Sequence, residues 1–277
     1  MAGTNWKSLF RETLGKIHRE LKITITPVPV PDKWIFVVGC YNSGTTLLAE
    51  VLASHPLISG LPAEGQYLTD QFPSDHEIGL SRMWTEREDI YRLKADDTGP
   101  DVIRLKKEWG MRFDLKKKIL LEKTPANAAR MPWLQKHFDN SYFVAIVRNG
   151  YAVAEGIKRK AKPIHRKQGW PIDMAARQWS RTNEVILEDS GLLDNFYLVR
   201  YEDLVSKPQQ VLEDLYRFLE LPETGPVNTD KTWQIHEKDE KIRDFNKESI
   251  GRLTSEEIQI INGIAGSMLD QLKYERI

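Results

Sequence analysis

The sequence predicts an α/β fold in which helices flank a mostly parallel central sheet. Short apolar runs rich in β-forming residues alternate along the chain with segments of helical periodicity, a pattern typical of parallel sheets. The apolar runs lack a polar alternate face, as expected for strands covered on both sides. The 277 residues are 40% apolar and 29% charged, which allows a sizeable core and a soluble surface.

The predicted elements begin with an amphipathic helix over residues 5–22 and a connector with three prolines between residues 27 and 31. We expect the helix to pack on the domain, with a membrane-surface or dimer role as the alternative. Residues 66–118 are predicted to form helices and loops over the carboxyl edge of the sheet. Strands are predicted at 34–38, 57–61, 119–121, 142–147 and 196–200, and helices at 47–53, 151–162, 173–189, from Pro208 and after a Thr254–Glu257 capping box.

The expected organisation is a helix and connector, residues 1–32, followed by a single domain, residues 33–277. Lys plus Arg and Asp plus Glu number 40 each, so no net field favours nucleic acid. Cys40 is the single cysteine, no apolar run is long enough to span a bilayer, and the first residues lack an apolar signal core. We therefore expect a cytoplasmic protein without a transmembrane segment; the sequence does not define its oligomeric state.

The sharpest motif is Gly39–Thr46, GCYNSGTT, between a predicted strand and a predicted helix. Glycines such as Gly44 let the backbone turn tightly and approach a ligand. Free N–H groups at the helix start and the hydroxyls of Ser43, Thr45 and Thr46 can then bind an anion. The motif predicts a phosphate site.

The chemistry of this site differs from that of nucleotide-hydrolysing P-loops. Thr45 stands where those loops have lysine, and the strand 142–147 ends in Arg148 rather than in a metal-binding Asp. A cysteine phosphatase would need Arg six residues after Cys40, where Thr46 stands. Because ligands bind at the carboxyl ends of parallel strands, we expect Arg148 to bind phosphate beside the loop.

Four segments resemble the PAPS-dependent sulfotransferase family, particularly its bacterial branch, and are similar to the carbohydrate and tyrosyl-protein sulfotransferases. They are Gly39–Leu48, Glu122–Pro125, Val147–Gly156 and Tyr201–Leu204. The resemblance implies a three-layer P-loop-type fold and in-line transfer of sulfonate from 3′-phosphoadenosine 5′-phosphosulfate (PAPS) to an acceptor, with 3′,5′-adenosine bisphosphate (PAP) as product and no metal.

The resemblance also assigns site residues. It places the first segment, including Asn42, at the 5′-phosphosulfate, Arg148 and Gly156 at the 3′-phosphate, and Tyr201 near the adenine. A loop that closes over the 3′-phosphate would contribute Lys247, Ser249 and Arg252.

Two positions depart from the family pattern. Asn42 replaces a Lys or Arg that contacts the transferring or leaving group, and Gly156 replaces a Ser. We expect Lys123 to supply the missing cation to the leaving group. The departures leave a PAP- or PAPS-binding pseudoenzyme open, and a P-loop small-molecule kinase is the other alternative.

The expected general base is Glu64, which follows the predicted strand 57–61 and matches the glutamate that acts as base in the branches this chain resembles. His55 is the next residue to test. The sequence does not identify the acceptor, which could be a small molecule, a glycan, a lipid or a peptide.

Overall fold

The computed structural model describes residues 6–160, 169–225, 232–235 and 238–277. Its main sheet has five strands, all parallel, in the order β2-β3-β1-β4-β5. This confirms the predicted α/β fold and its parallel sheet. The strands are β1 (Lys33–Gly39), β2 (Ile58–Gly60), β3 (Ile119–Lys123), β4 (Ser141–Val147) and β5 (Phe196–Arg200).

The α-helices agree with the predicted ones where the periodicity was strong, and six shorter ones were not predicted individually. The twelve in the described residues are α1 (Trp6–Ile25), α2 (Thr45–Ala53), α3 (Asp75–Ile78), α4 (Glu88–Tyr91), α5 (Val102–Gly110), α6 (Met131–His137), α7 (Gly150–Lys160), α8 (Ile172–Ser190), α9 (Tyr201–Ser206), α10 (Pro208–Phe218), α11 (Asn246–Ile250) and α12 (Ser255–Gln271). Single 3-10 turns lie at Gly65–Tyr67, Trp84–Arg87 and Pro125–Arg130. The last two residues of the helix predicted at 151–162 lie outside the described residues.

The core forms two apolar layers, one on each face of the sheet. All seven residues of β1 are buried. Trp34 and Phe36 point into a cluster with α7, α8 and α12, whereas Ile35 and Val37 point into a cluster with α2 and α10. This alternation is the period of two of a strand, and the helices on both faces give three layers.

Helix α1 packs on the domain, as expected, but mainly through its polar face. Ile23 is buried, and the helix is held on α5 through polar contacts, including Arg104 Nη2 to Glu20 Oε1 at 2.8 Å. The apolar stripe faces solvent instead; its members Phe10, Leu14, Ile17, Leu21 and Ile25 are 49–79% exposed. Ion pairs with α5 hold the polar face inward and turn the stripe outward.

A second sheet, not predicted, is the antiparallel pair β6 (Trp233–Ile235) and β7 (Lys238–Glu240). One feature of the helices was predicted at the level of single residues. The capping box at the start of α12 is present, with Thr254 and Glu257 each bonded to the other's backbone. None of the described helices has the length and apolar character needed to cross a membrane.

Three chain segments meet at the carboxyl edge of the sheet. In the strand register Gly39 pairs with Ile146 and Val147 pairs with Arg200, so that β1, β4 and β5 end at the same level. The segments after these strands begin at Cys40, Arg148 and Tyr201 and therefore meet at one edge.

Candidate active site

The loop after β1 is shaped by left-handed backbone at two residues. Asn42 has φ 64° and Gly44 has φ 98°. A Cβ on Gly44 would lie 2.8 Å from Cδ2 of Tyr201, so only glycine allows this close approach. Helix α2 starts at Thr45, and its first-turn N–H groups have no intrahelical partners.

Arg148, the residue after β4, is buried against this loop. Its Nη1 donates to the carbonyl of Asn42 at 3.0 Å and its Nε to Asn246 Oδ1 at 2.7 Å. The guanidinium lies 4.2 Å from the centre of the Tyr201 ring. Burial lowers the pKa of Arg148, while Tyr201 and Glu202 favour its charged form. Arg148 is thus a rigidly held cation.

A cavity of about 920 Å³ runs along this edge of the sheet. Its lining includes Arg148, Gly156 and Tyr201 together with residues near α11, and also Glu64 and Arg82. The structure therefore brings most of the predicted site residues together; those lining the cavity are Asn42, Gly44, Thr45, Thr46, Glu64, Arg148, Gly156, Tyr201, Ser249 and Arg252.

Among the buried polar atoms that have no hydrogen-bond partner within the described parts of the chain, three belong to predicted site residues: Asn42 Nδ2, Ser43 Oγ and Arg148 Nη2. Ser43 lies behind the cavity wall rather than on it. A buried donor without a partner is costly. All three can donate hydrogen bonds, and the donors of Asn42 and Arg148, which line the cavity, could be satisfied there by a bound anion.

Glu64 and Lys123 form an ion pair, with Nζ and Oε1 2.9 Å apart. Both side chains are largely buried, at 17% and 15% exposure. Glu64 Oε2 accepts a bond from Gln66 Nε2 at 3.2 Å. Lys123 lines a smaller adjoining pocket of about 280 Å³, and Thr46 borders both spaces. The predicted base and the predicted cation therefore lie together beside the loop.

Glu122, which the sequence did not single out, anchors the segment that carries Glu64. Its Oε1 accepts a bond from the Gly65 N–H at 2.9 Å, and its Oε2 accepts one from Asn127 Nδ2 at 2.6 Å. The Thr124 hydroxyl also donates to it. Full burial raises the pKa of Glu122 to about 7. A charged residue one position before Lys123, inside an apolar strand, was the available sequence signal.

The third group of predicted residues lies around α11. Arg252 donates through Nε to Glu155 Oε1 at 2.7 Å and through Nη2 to Ser249 Oγ at 3.1 Å. Lys247 is exposed and does not line the cavity. The structure thus places Ser249 and Arg252 at the cavity and leaves Lys247 outside it.

Two further residues, His55 and Arg82, differ from what the sequence predicted. His55, the alternative base, is buried away from the cavity with both ring nitrogens engaged, Nε2 by the Pro222 carbonyl at 3.0 Å and Nδ1 by the Leu57 N–H at 3.2 Å. Arg82 was missed because it lies in the weakly periodic segment 66–118 and belongs to no motif. Across the described residues, no cluster of His, Cys, Asp and Glu has an arrangement that could hold a metal ion.

The parallel sheet and the loop between β1 and α2 define an α/β protein with a P-loop-like fold, and comparison with known proteins gives its family. The model of the sulfotransferase family matches residues 34–225. The chain belongs to the sulfotransferase family. A putative protein-tyrosine sulfotransferase from Caenorhabditis briggsae is 23% identical over 195 residues, 69% of this chain and 66% of that protein. The match thus spans just under two thirds of the curated relative's length.

Solved structures support the fold. The sulfotransferase domain of the olefin synthase of Synechococcus PCC 7002 is 20% identical, with a TM-score of 0.54 over 90% of this chain and 98% of that one. The sulfotransferase domain of the curacin biosynthetic pathway is 23% identical, with a TM-score of 0.52 over 88% and 98% of the two chains. A Mycobacterium avium sulfotransferase, 13% identical, has a TM-score of 0.52 over 94% and 81%.

Proposed function

We propose that this protein transfers a sulfonate group from PAPS to a hydroxyl or amine of an acceptor and releases PAP. The observation that carries the proposal is the set of buried, unpartnered donors on Asn42, Ser43 and Arg148. They lie at a helix start and a strand end, where anions bind in parallel α/β sheets. PAPS carries phosphate groups at its 3′ and 5′ positions. Such a molecule suits a site whose hydrogen-bond donors lie on two separate segments.

In the proposed reaction the acceptor oxygen attacks sulfur in line with the bond to the 5′-phosphate. The new O–S bond forms as the bridging S–O bond breaks, and its electron pair leaves on the phosphate oxygen of PAP. Glu64 takes the acceptor's proton as general base. Lys123, 2.9 Å from Glu64, stabilises the charge on the departing phosphate.

At the other end of the cavity we assign the 3′-phosphate to Arg148, with Ser249 and Arg252 beside it and the backbone of Gly156 nearby. Tyr201 belongs to the same end, because its ring packs on both Arg148 and Gly44. We assign the adenine to this wall of the cavity. Lys247 remains a prediction of the resemblance and gains no support from its exposed position.

The two alternatives are weakened by particular residues. A kinase loop would carry lysine at Thr45 and a metal-binding carboxylate after β4. A binding protein without turnover has no need for the buried Glu64–Lys123 pair. We also propose that residues 33–277 form one domain and, from the single cysteine, that the protein is cytoplasmic. The name of the curated relative adds a phenolic hydroxyl to the acceptors to be tested.

Transfer can be measured with sulfonate-labelled PAPS and a panel of phenols, sugars, lipid alcohols and tyrosyl peptides. We expect labelled product with the wild type and its loss in Glu64→Gln. If PAP binds and no acceptor becomes labelled with any member of the panel, the pseudoenzyme alternative is favoured over turnover.

A further inference from the structure

The phosphate loop carries Asn42 where the family that it resembles has Lys or Arg. We propose, on the basis of the function proposed above, that Arg82 takes the place of a loop lysine or arginine and binds the 5′ end of the donor together with the Asn42 amide. Arg82 Nη1 donates to Asn42 Oδ1 at 2.7 Å across a sequence separation of 40 residues. Both side chains line the cavity.

This hydrogen bond fixes the orientation of the Asn42 amide. Because a guanidinium can only donate, the atom facing Arg82 must be the amide oxygen. The amide nitrogen therefore points the other way, and it is the buried Nδ2 that has no partner in the described part of the protein. The pair presents an amide N–H₂ group beside a guanidinium, both of them donors for an anion.

Within the described residues, Arg82 differs in its ion pairing from two other arginines of the cavity. Arg252 and Arg159, on the same cavity, each form an ion pair with Glu155 at 2.7 Å. Within the residues that the structure describes, Arg82 forms no ion pair, and its Nε and Nη2 make no hydrogen bond. A partly buried guanidinium whose Nε and Nη2 have no partner in the described residues is suited to phosphate or sulfonate oxygens.

The position of Arg82 is fixed by its own segment. Arg82 has left-handed backbone, φ 63°, and its N–H donates to Asp75 Oδ2 at 3.1 Å. Asp75 is buried and also accepts a bond from the Tyr67 hydroxyl. The preceding Ser81 carbonyl accepts a bond from Trp170 Nε1 at 2.8 Å. These contacts hold the segment against the loop, so the arginine is directed towards Asn42.

The second departure from the family pattern fits the same arrangement. A Cβ on Gly156 would lie 3.2 Å from Cβ and 3.3 Å from Cγ of Asn42. A serine there would crowd the amide in the position where Arg82 holds it. The two departures are therefore complementary: glycine at 156 leaves the space that the Arg82-bound Asn42 occupies.

Binding of PAP and of adenosine 3′-monophosphate, which lacks the 5′-phosphate, tests the assignment by calorimetry. We expect Arg82→Gln to weaken PAP about 10- to 100-fold and to leave adenosine 3′-monophosphate unchanged. Turnover should fall about 10²- to 10³-fold. Asn42→Lys in the Arg82→Gln background should regain PAP affinity. Arg87→Gln, in the same region but off the cavity, is the matched control.

Equal weakening of both nucleotides, or no weakening of PAP, would overturn the role of Arg82. If Arg82→Gln does not fold, Arg82→Lys replaces it: a loss confined to PAP supports the proposal and an equal loss for both nucleotides overturns it. If the wild type binds PAP and these variants behave otherwise than expected, only this inference fails. A wild type that does not bind PAP removes the proposed function and this inference together.

Discussion

The two ends of the cavity are built in different ways. At the end assigned to the 3′-phosphate, Arg148 follows a core strand and is 8% exposed, with Nε and Nη1 both bonded to fixed partners. At the transfer end, Glu64, Lys123 and Arg82 come from three separate segments and pair with one another or with the loop. A rigidly held, buried cation favours tight binding of the nucleotide. Paired, largely buried charges favour stabilisation of the charge that develops during transfer. Substitutions at the two ends should therefore separate binding from turnover.

The largest effect expected at the transfer end is that of Glu64→Gln. Removing a general base typically costs on the order of 10²–10⁴ in rate, and the amide keeps the shape of the side chain. We expect kcat to fall by that amount while the Kd for PAP stays close to the wild-type value. Near-normal turnover on a responsive acceptor would show that another group takes the proton.

Lys123→Ala should have the next largest effect. Loss of one donor to the developing charge typically lowers kcat by about 10²–10³, and nucleotide affinity should change little. Lys116→Ala, an exposed lysine ahead of the same strand, is the control. Unchanged turnover in Lys123→Ala would leave Arg82 as the cation for the leaving group.

Arg148→Ala tests the opposite end. A charge-assisted contact with phosphate is worth roughly 1.5–3 kcal/mol, so PAP should bind about 10- to 100-fold more weakly. Adenosine 5′-monophosphate, which lacks the 3′-phosphate, should be affected much less. Calorimetry with the two nucleotides gives the comparison, and equal losses would mean that Arg148 supports the loop rather than the 3′-phosphate.

Titration of Glu122 should have a smaller effect, namely on the free energy of unfolding and its dependence on pH. Burial raises the pKa of Glu122 from 4.5 to about 7, so the folded state binds an extra proton between those values. The stabilisation by this proton is complete below about pH 4.5 and is lost as the pH rises through 7. We expect Glu122 to contribute a loss of about 2 kcal/mol between pH 5 and 7.

Glu122→Gln, which cannot titrate, should lack this component. Denaturant unfolding of both proteins at pH 5 and pH 7 measures the difference in the free energy of unfolding. An identical pH dependence in the two proteins would mean that Glu122 stays ionised when buried.

Residues at the ends of core strands could be predicted from the sequence. Apolar runs fix the strands, and the parallel sheet then brings Arg148, Lys123 and the loop to one edge whatever the details of the connections. The capping box of α12 could be predicted because Thr254 and Glu257 interact locally, through the first turn alone.

Residues placed by tertiary contacts could not be predicted. Arg82 reaches Asn42 only because Asp75 and Trp170 hold its segment, and no periodicity or spacing records those contacts. The outward stripe of α1 has the same origin, since ion pairs with α5 decide which face points inward. The strands β6 and β7 have three residues each, too few to show an alternating pattern.

We propose a site for a nucleotide with phosphates at both the 3′ and 5′ positions. Thermal unfolding with PAP and with ATP-Mg²⁺ tests this proposal. A ligand present at about 100 times its Kd adds about 2.7 kcal/mol to the stability of the folded state. We expect a clear rise in Tm with PAP and a smaller or no rise with ATP-Mg²⁺. A rise with ATP-Mg²⁺ and none with PAP would contradict it.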